Sequence, residues 1–351
     1  MTRSPSPAPV HGPLPRRGAP RAALLAAAGA LAAGAVLATP PALAAVPAAA
    51  VPAAAAPGAP AAVATTPAPL PAPTGRLEQV SAFGANPTGL EMHLYVPPTV
   101  DRHPGVVVVL HYCTGSGPAM FTGTQYASLA DRYGFVVVYP SATREGHCFD
   151  VSSPGALTHD GNSDPVGIVS MVRYVEKRLH TDPHRVFATG ISSGAMMTNV
   201  LLGDYPDVFA AGSAMSGVPF GCFATTDGSG WNSACANGKI IRTAREWGDL
   251  ARAADPRFRG PRPRMQLWHG TADAVLLYPN FGEEVKQWTD VTGARLARVD
   301  HPRPTWTHSV FRDRSGRVAV DAYSVQDGTH NVAFDEPGVD ELAICFFGLA
   351  R

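Results

Sequence analysis

The chain has no excess charge of either sign: 28 basic residues balance 28 acidic ones, and charged side chains are only 16% of 351 residues. Nothing in that balance draws a phosphate backbone or an anionic membrane surface, so nucleic acid is disfavoured as a partner. No cysteine precedes Cys113, so no lipid-anchoring cysteine is expected at an N-terminal cleavage site. No aromatic residue occurs between Ala45 and Thr74, so that stretch has no flat platform for a sugar or polymer. There is no C-x-x-C pair and no glycine-rich phosphate loop after the first strand-like run, so no metal and no nucleotide or other cofactor is expected. His159-Asp160 with Asp164 is the nearest approach to a metal cluster, and a loop and helix start explain those residues better.

What is present divides into three parts. Arg3, Arg16, Arg17 and Arg21 precede an uncharged stretch, Ala22 to Ala38, followed by the small residues Ala42-Leu43-Ala44, so residues 1–44 read as a signal peptide. The stretch is short, Ala- and Gly-rich and closed by Pro40-Pro41, unlike a membrane span. Residues 45–74, almost wholly Ala, Pro, Val and Thr, read as an extended spacer. Residues 75–351 are enough for one α/β domain. The expected product is secreted, free of the membrane after cleavage, and monomeric.

Gly105 to His111, a continuous β-branched run, suits a strand buried on both faces, and Phe135 to Tyr139 repeats it. Ala127 to Tyr133 between them has helical spacing and stops at Gly134. Asp164-Pro165 reads as the cap and first turn of a helix through Leu179. Further strands are expected at Val186–Thr189, Met265–Trp268 and Val318–Tyr323, and helices at Ala195–Leu202, Glu283–Val291 and Val339–Phe347. This alternation predicts a mostly parallel sheet with helices on both faces, its ligand site at the C-terminal strand ends.

Gly190-Ile191-Ser192-Ser193-Gly194 is G-x-S-x-G between a strand and a helix. A sharp turn there exposes the Ser192 hydroxyl and needs small neighbours, which is the nucleophile elbow of an α/β-hydrolase fold. A serine hydroxyl needs a base to take its proton and a carboxylate to orient that base, in the order Ser, acid, His. Asp273, just past a strand, is the expected acid, with Asp290, Asp300 and Asp327 as competitors; His330 is the expected base, with His269, His301 and His308 as competitors. Backbone N–H groups of Ser193 and of Cys113 or Thr114 are the expected oxyanion donors. Cys113 as a thiol nucleophile lacks an adjacent base in sequence. Five cysteines allow several pairings; Cys222 with Cys235 is favoured, then Cys113 with Cys148, which leaves Cys345 as a buried free thiol.

Taken jointly, LHYCTG (from Leu110), CFDVSS (from Cys148), THDGNSD (from Thr158), VFATGISSGAMMTNVL (from Val186), WNSAC (from Trp231) and HGTAD (from His269) resemble the carbohydrate esterase family 1 acetylxylan and feruloyl esterases and the related polyhydroxybutyrate depolymerase-type esterases. The resemblance runs from about Arg76 to the end. It implies a serine esterase acting on acyl groups of plant polysaccharide, or on a feruloyl ester or polyester, with Ser192, Asp273 and His330 as its triad. It also implies that Trp231 is an aromatic beside the acyl pocket. Tyr112, after His111, is similar to the acetylxylan esterase form. The rival from another class is a noncatalytic secreted binding protein on the same fold, which would have a broken triad.

Overall fold

The computed structural model describes residues 70–350; the expected signal peptide and nearly all of the spacer lie outside them. In chain order the elements are β1 (Leu77–Val80), β2 (Glu91–Tyr95), β3 (Val106–Leu110), α1 (Gly117–Gly123), α2 (Tyr126–Tyr133), β4 (Val136–Ser141), α3 (Asp164–Leu179), β5 (Val186–Ile191), α4 (Ser193–Asp204) and β6 (Ala211–Met215). There follow α5 (Ser233–Ala236), α6 (Ala244–Ala254), β7 (Arg264–Gly270), α7 (Pro279–Thr292), β8 (Arg295–Asp300), β9 (Trp306–Arg312), β10 (Val318–Val325), α8 (Val332–Asp335) and α9 (Val339–Phe347). The strands form one sheet in the order β1-β2-β4-β3-β5-β6-β7-β10-β9-β8. Its six central strands, β4 to β10 in that order, are parallel, and two antiparallel strands flank them on each side.

The β3 sequence explains why both faces are covered. Its side chains alternate between two apolar layers: Val106, Val108 and Leu110 pack with α3, α4, α6 and α7, while Val107 and Val109 pack with α2 and α9. β6 gives no strand signal in the sequence because it is AGSAM. A side chain on Gly212 would press to within 2.8 Å of Thr198 on α4, so the helix lies on the strand and only small residues fit. β8, RLARVD, is exposed at the sheet edge and has no buried face to imprint an alternation.

Three expectations are corrected. Ser163, not Asp164, is the residue before α3; Asp164 is its first residue, fully buried and gripped by Arg144, whose Nη1 donates to Asp164 Oδ2 at 2.6 Å. The helix starts one residue earlier because this ion pair draws the carboxylate into its first turn. Cys345 is the free cysteine but is exposed, because Ala343, Ile344 and Phe347 form the buried side of α9. Helix α7 begins at Pro279, four residues before the apolar spacing becomes visible, since a proline fits the first turn. The two disulfides are Cys113–Cys148 and Cys222–Cys235.

Glu284, on α7, is buried beneath α4, where its Oε1 accepts from Asn199 Nδ2 at 2.8 Å and Asn199 Oδ1 accepts from Trp288 Nε1 at 2.6 Å. Burial pushes its carboxyl up to about 8, against the smaller opposing effect of the Asn199 bond. In the unfolded chain the group titrates near ~4.3. Between these values the folded protein keeps a proton that the unfolded chain releases, so stability declines as pH rises through that window and levels off above it. Glu284→Gln keeps the acceptor and removes the titration. Thermal unfolding is expected to show nearly equal midpoints for variant and parent near pH 4.5 and a midpoint roughly several degrees higher for the variant at pH 8.

Candidate active site

The candidate groups sit on four parallel strands that end on one side of the sheet. β5 carries Ser192, β3 the loop from His111 to Gly115, β7 leads to Asp273, and β10 leads to His330. Ser192 takes φ 55°, a left-handed conformation that side chains rarely adopt, and its N–H donates to Met215 O of β6 at 3.0 Å. The two glycines of the motif are required by close approach. A Cβ on Gly190 would lie 2.5 Å from the Gly194 carbonyl group, and one on Gly194 would run into the backbone oxygens of Leu110 and His111. Ser192 is 8% exposed and its hydroxyl makes no hydrogen bond among the described residues.

The acid and base loops are stitched together by their backbones. Thr271 N–H donates to Val325 O and Ala272 N–H to Gly328 O, each at 2.9 Å, and Gly270 has no room for a Cβ against Gly328 and Thr329. Asp273 is thereby brought to His330, whose Nδ1 donates to Asp273 Oδ2 at 2.7 Å. The other oxygen, Oδ1, accepts from the N–H groups of Val275 and Leu276 at 2.8 and 2.9 Å. Burial alone would raise this carboxyl, but the hydrogen bonds and charges of His269 and His330 outweigh it and hold it far below the usual carboxylate range. His269 is a packing histidine: its Nε2 donates to Leu276 O at 2.8 Å and lies 3.2 Å from Asp273 Oδ2, while its Nδ1 is buried.

The competitors are occupied elsewhere. Asp290 pairs with Arg252, His308 sits between Asp300 and Asp321, His301 bonds the Trp306 carbonyl, and Asp327 forms an exposed turn with φ 57°.

His330 and Ser192 line one cavity of about 460 Å³ together with Tyr112, Cys113, Val275 and Phe334. No hydrogen bond joins the two side chains in this structure; such contacts commonly tighten only when substrate binds. A larger hollow of about 580 Å³ opens between α7 and the β8–β9 edge, but its lining holds neither a serine nor a histidine.

Hydrogen bonding separates the two expected oxyanion donors of the loop after β3. Thr114 N–H is spent on Gly146 O at 2.8 Å, so of the two expected donors in this loop it is Cys113 whose N–H makes no bond among the described residues. Ser193 opens α4, where the first N–H groups have no intrahelical acceptor, and its hydroxyl accepts from Phe149 N–H at 2.8 Å. His111, not singled out in the sequence for a role, fixes the loop. Its Nε2 accepts from Ala142 N–H at 3.0 Å, so Nδ1 carries the proton and donates to Tyr112 O at 2.6 Å. Burial lowers this histidine to about 4, so it stays neutral. With the Tyr112 carbonyl held by the ring, planarity of the trans peptide aims Cys113 N–H the opposite way. The Cys113–Cys148 disulfide precludes a thiol nucleophile at Cys113.

Trp231 does not line the cavity. It stands 48% exposed in the Cys222–Cys235 loop, edge-on to Phe223 at 5.2 Å. That loop instead backs the acid loop: Leu277 N–H donates to Ala236 O at 2.8 Å and Asn280 Nδ2 to Cys235 O at 3.0 Å. The aromatic rings on the cavity are Tyr112 and Phe334, packed edge to face at 5.9 Å. Phe334 gave no signal in the sequence beyond lying four residues past His330.

Residues 90–238 match the family of esterase PHB depolymerases. The chain is 49% identical over 222 residues to a probable acetylxylan esterase A of Aspergillus fumigatus, which covers 63% of this chain and 60% of that protein, so it spans well under two thirds of that relative's length. Against acetylxylan esterase A of Aspergillus oryzae the identity is 47% over 244 residues, 68% of this chain and 80% of that one. Among solved structures, acetyl xylan esterase from Aspergillus awamori superposes with a TM-score of 0.74 at 38% identity, covering 79% of this chain and all of that one. The fluorophosphonate-binding serine hydrolase FphF of Staphylococcus aureus, at 13% identity and a TM-score of 0.51 over 78% of this chain and 98% of that one, shares the fold. With an α/β-hydrolase fold and relatives of this identity and coverage, the chain belongs to the acetylxylan esterase family.

Proposed function

We propose that the protein is a serine carboxylesterase that removes acetyl groups from xylan through an acyl-enzyme. The observation that carries this reading is the placement of Ser192 and His330 on one cavity beside the uncommitted Cys113 N–H, with His330 bonded behind it to Asp273. In this mechanism Ser192 Oγ attacks the ester carbonyl carbon while His330 Nε2 takes its proton, Nδ1 being held by Asp273. The oxyanion lies against the N–H groups of Cys113 and Ser193. His330 then returns the proton to the departing sugar oxygen, and a water that it deprotonates releases acetate. The cycle needs no metal or organic cofactor. The names of the fungal relatives favour acetylxylan as substrate, and the two disulfides are consistent with export through residues 1–44. The protein acts as a monomer in this reading.

A second reading, hydrolysis of a poly(3-hydroxyalkanoate), draws support from the name of the matching family. The two are separated by presenting acetylated xylan, methyl ferulate and poly(3-hydroxybutyrate) in parallel and measuring released acid. Acetate from xylan at the highest rate is the expected outcome; faster turnover of either other ester keeps the chemistry and replaces the substrate, and no turnover of any by folded protein favours a binding role.

A further inference from the structure

The two ends of an ester leave different imprints on a site of this kind. The carbonyl oxygen must lie on the Cys113–Ser193 side, whereas the leaving oxygen must lie within reach of His330, because that ring delivers its proton. The alcohol half of the substrate is therefore directed along the wall that continues past His330. That wall is the segment 331–335. Phe334 is 43% exposed there, an unusual position for so large an apolar ring, and its edge-to-face contact with Tyr112 holds it at the cavity. Beside it on the same cavity stand Asn331 and Asp335, both exposed. The Asn331 side chain makes no hydrogen bond among the described residues even though it precedes α8, and Asp335 uses one oxygen to accept from Thr329 Oγ1 at 3.2 Å.

An apolar ring flanked by an uncommitted amide and a carboxylate matches a neutral sugar ring, which has a C–H face to lay on the aromatic and hydroxyl groups at its rim for the polar pair. We propose that Phe334, with Asn331 and Asp335, forms a subsite for the saccharide that carries the ester, and that this subsite selects glycosidic alcohols over small ones. The inference rests on the esterase reading above and adds to it the residues that hold the alcohol. Phe334 is a binding residue here and plays no part in proton transfer.

The test compares two acetate esters whose acid halves are identical: an acetylated xylo-oligosaccharide, long enough to lie on Phe334, and ethyl acetate, too small to reach it. Phe334→Ala is expected to raise KM for the oligosaccharide about tenfold, equivalent to about 1.4 kcal/mol, with kcat retained and ethyl acetate hydrolysis unchanged. Phe334→Trp, which keeps an aromatic face, is expected to restore the parent KM. Equal losses on both esters would overturn the subsite and assign Phe334 to support of the His330 loop. An unaltered KM for the oligosaccharide would also overturn it. A parent protein that cleaves ethyl acetate but not the oligosaccharide would overturn the polysaccharide reading and the subsite together, while leaving the nucleophile in place.

Discussion

Replacing Ser192 by alanine is expected to lower kcat for acetate release by about 10⁴- to 10⁶-fold and to leave the thermal unfolding midpoint nearly unchanged. The size of the loss follows from the absence of a substitute: the proposed oxyanion donors would still polarise the carbonyl, but no other serine or threonine lines the cavity. The fold is spared for equally specific reasons. The Ser192 hydroxyl makes no hydrogen bond among the described residues, and its left-handed φ of 55° is already borne by a residue with a Cβ, so alanine adds no strain. The turn is held by Gly190, Gly194 and the Ser192 N–H bond to Met215 O, all of which remain. Turnover and thermal unfolding measured on the same preparation check both halves, and a loss below about tenfold in a folded variant would contradict the assignment of the nucleophile.

Asp273→Asn is expected to cost about 10³- to 10⁴-fold in kcat while changing one atom. Oδ1 accepts from the N–H groups of Val275 and Leu276, so the asparagine oxygen is drawn to that position and its NH₂ is placed where Oδ2 stood. There it faces His330 Nδ1–H, donor against donor. Relief requires His330 to move its proton to Nε2, the nitrogen that must be free to accept from Ser192. The same substitution reports on stability. The folded-state value of Asp273 is depressed, so its contribution is fully present above the unfolded carboxylate value near ~3.9 and is lost as pH falls through the folded value. Parent and variant should therefore differ in unfolding midpoint at pH 7 and converge toward the acid end, and kinetics with thermal unfolding across that range read both effects.

The parts of this architecture that were legible in the sequence are those under local constraint. The valine runs of β3 and β4 had to be buried on both faces, Gly134 ends α2 in the left-handed region, and the elbow required Gly190 and Gly194 around Ser192. Asp273 and His330 could be proposed as acid and base because each follows a strand that ends beside the elbow. Less accessible were features set by contacts distant in sequence. Only the neighbouring α4 explains the small residues of β6, only the bond to Gly146 removes Thr114 from the expected oxyanion donors, and only the packed loop shows His111 setting the Tyr112 carbonyl. Trp231 and Phe334 illustrate the same limit. Both are exposed aromatic residues in loops or short helices, and composition cannot tell which of them the chain returns to the cavity.

Whether Ser192 is an activated nucleophile is decided by treating the folded protein with a fluorophosphonate and locating the adduct by mass spectrometry of its peptides. A single adduct on the peptide containing Ser192, absent in Ser192→Ala, is the expected result. An adduct on another serine, or unchanged labelling of that variant, would contradict it.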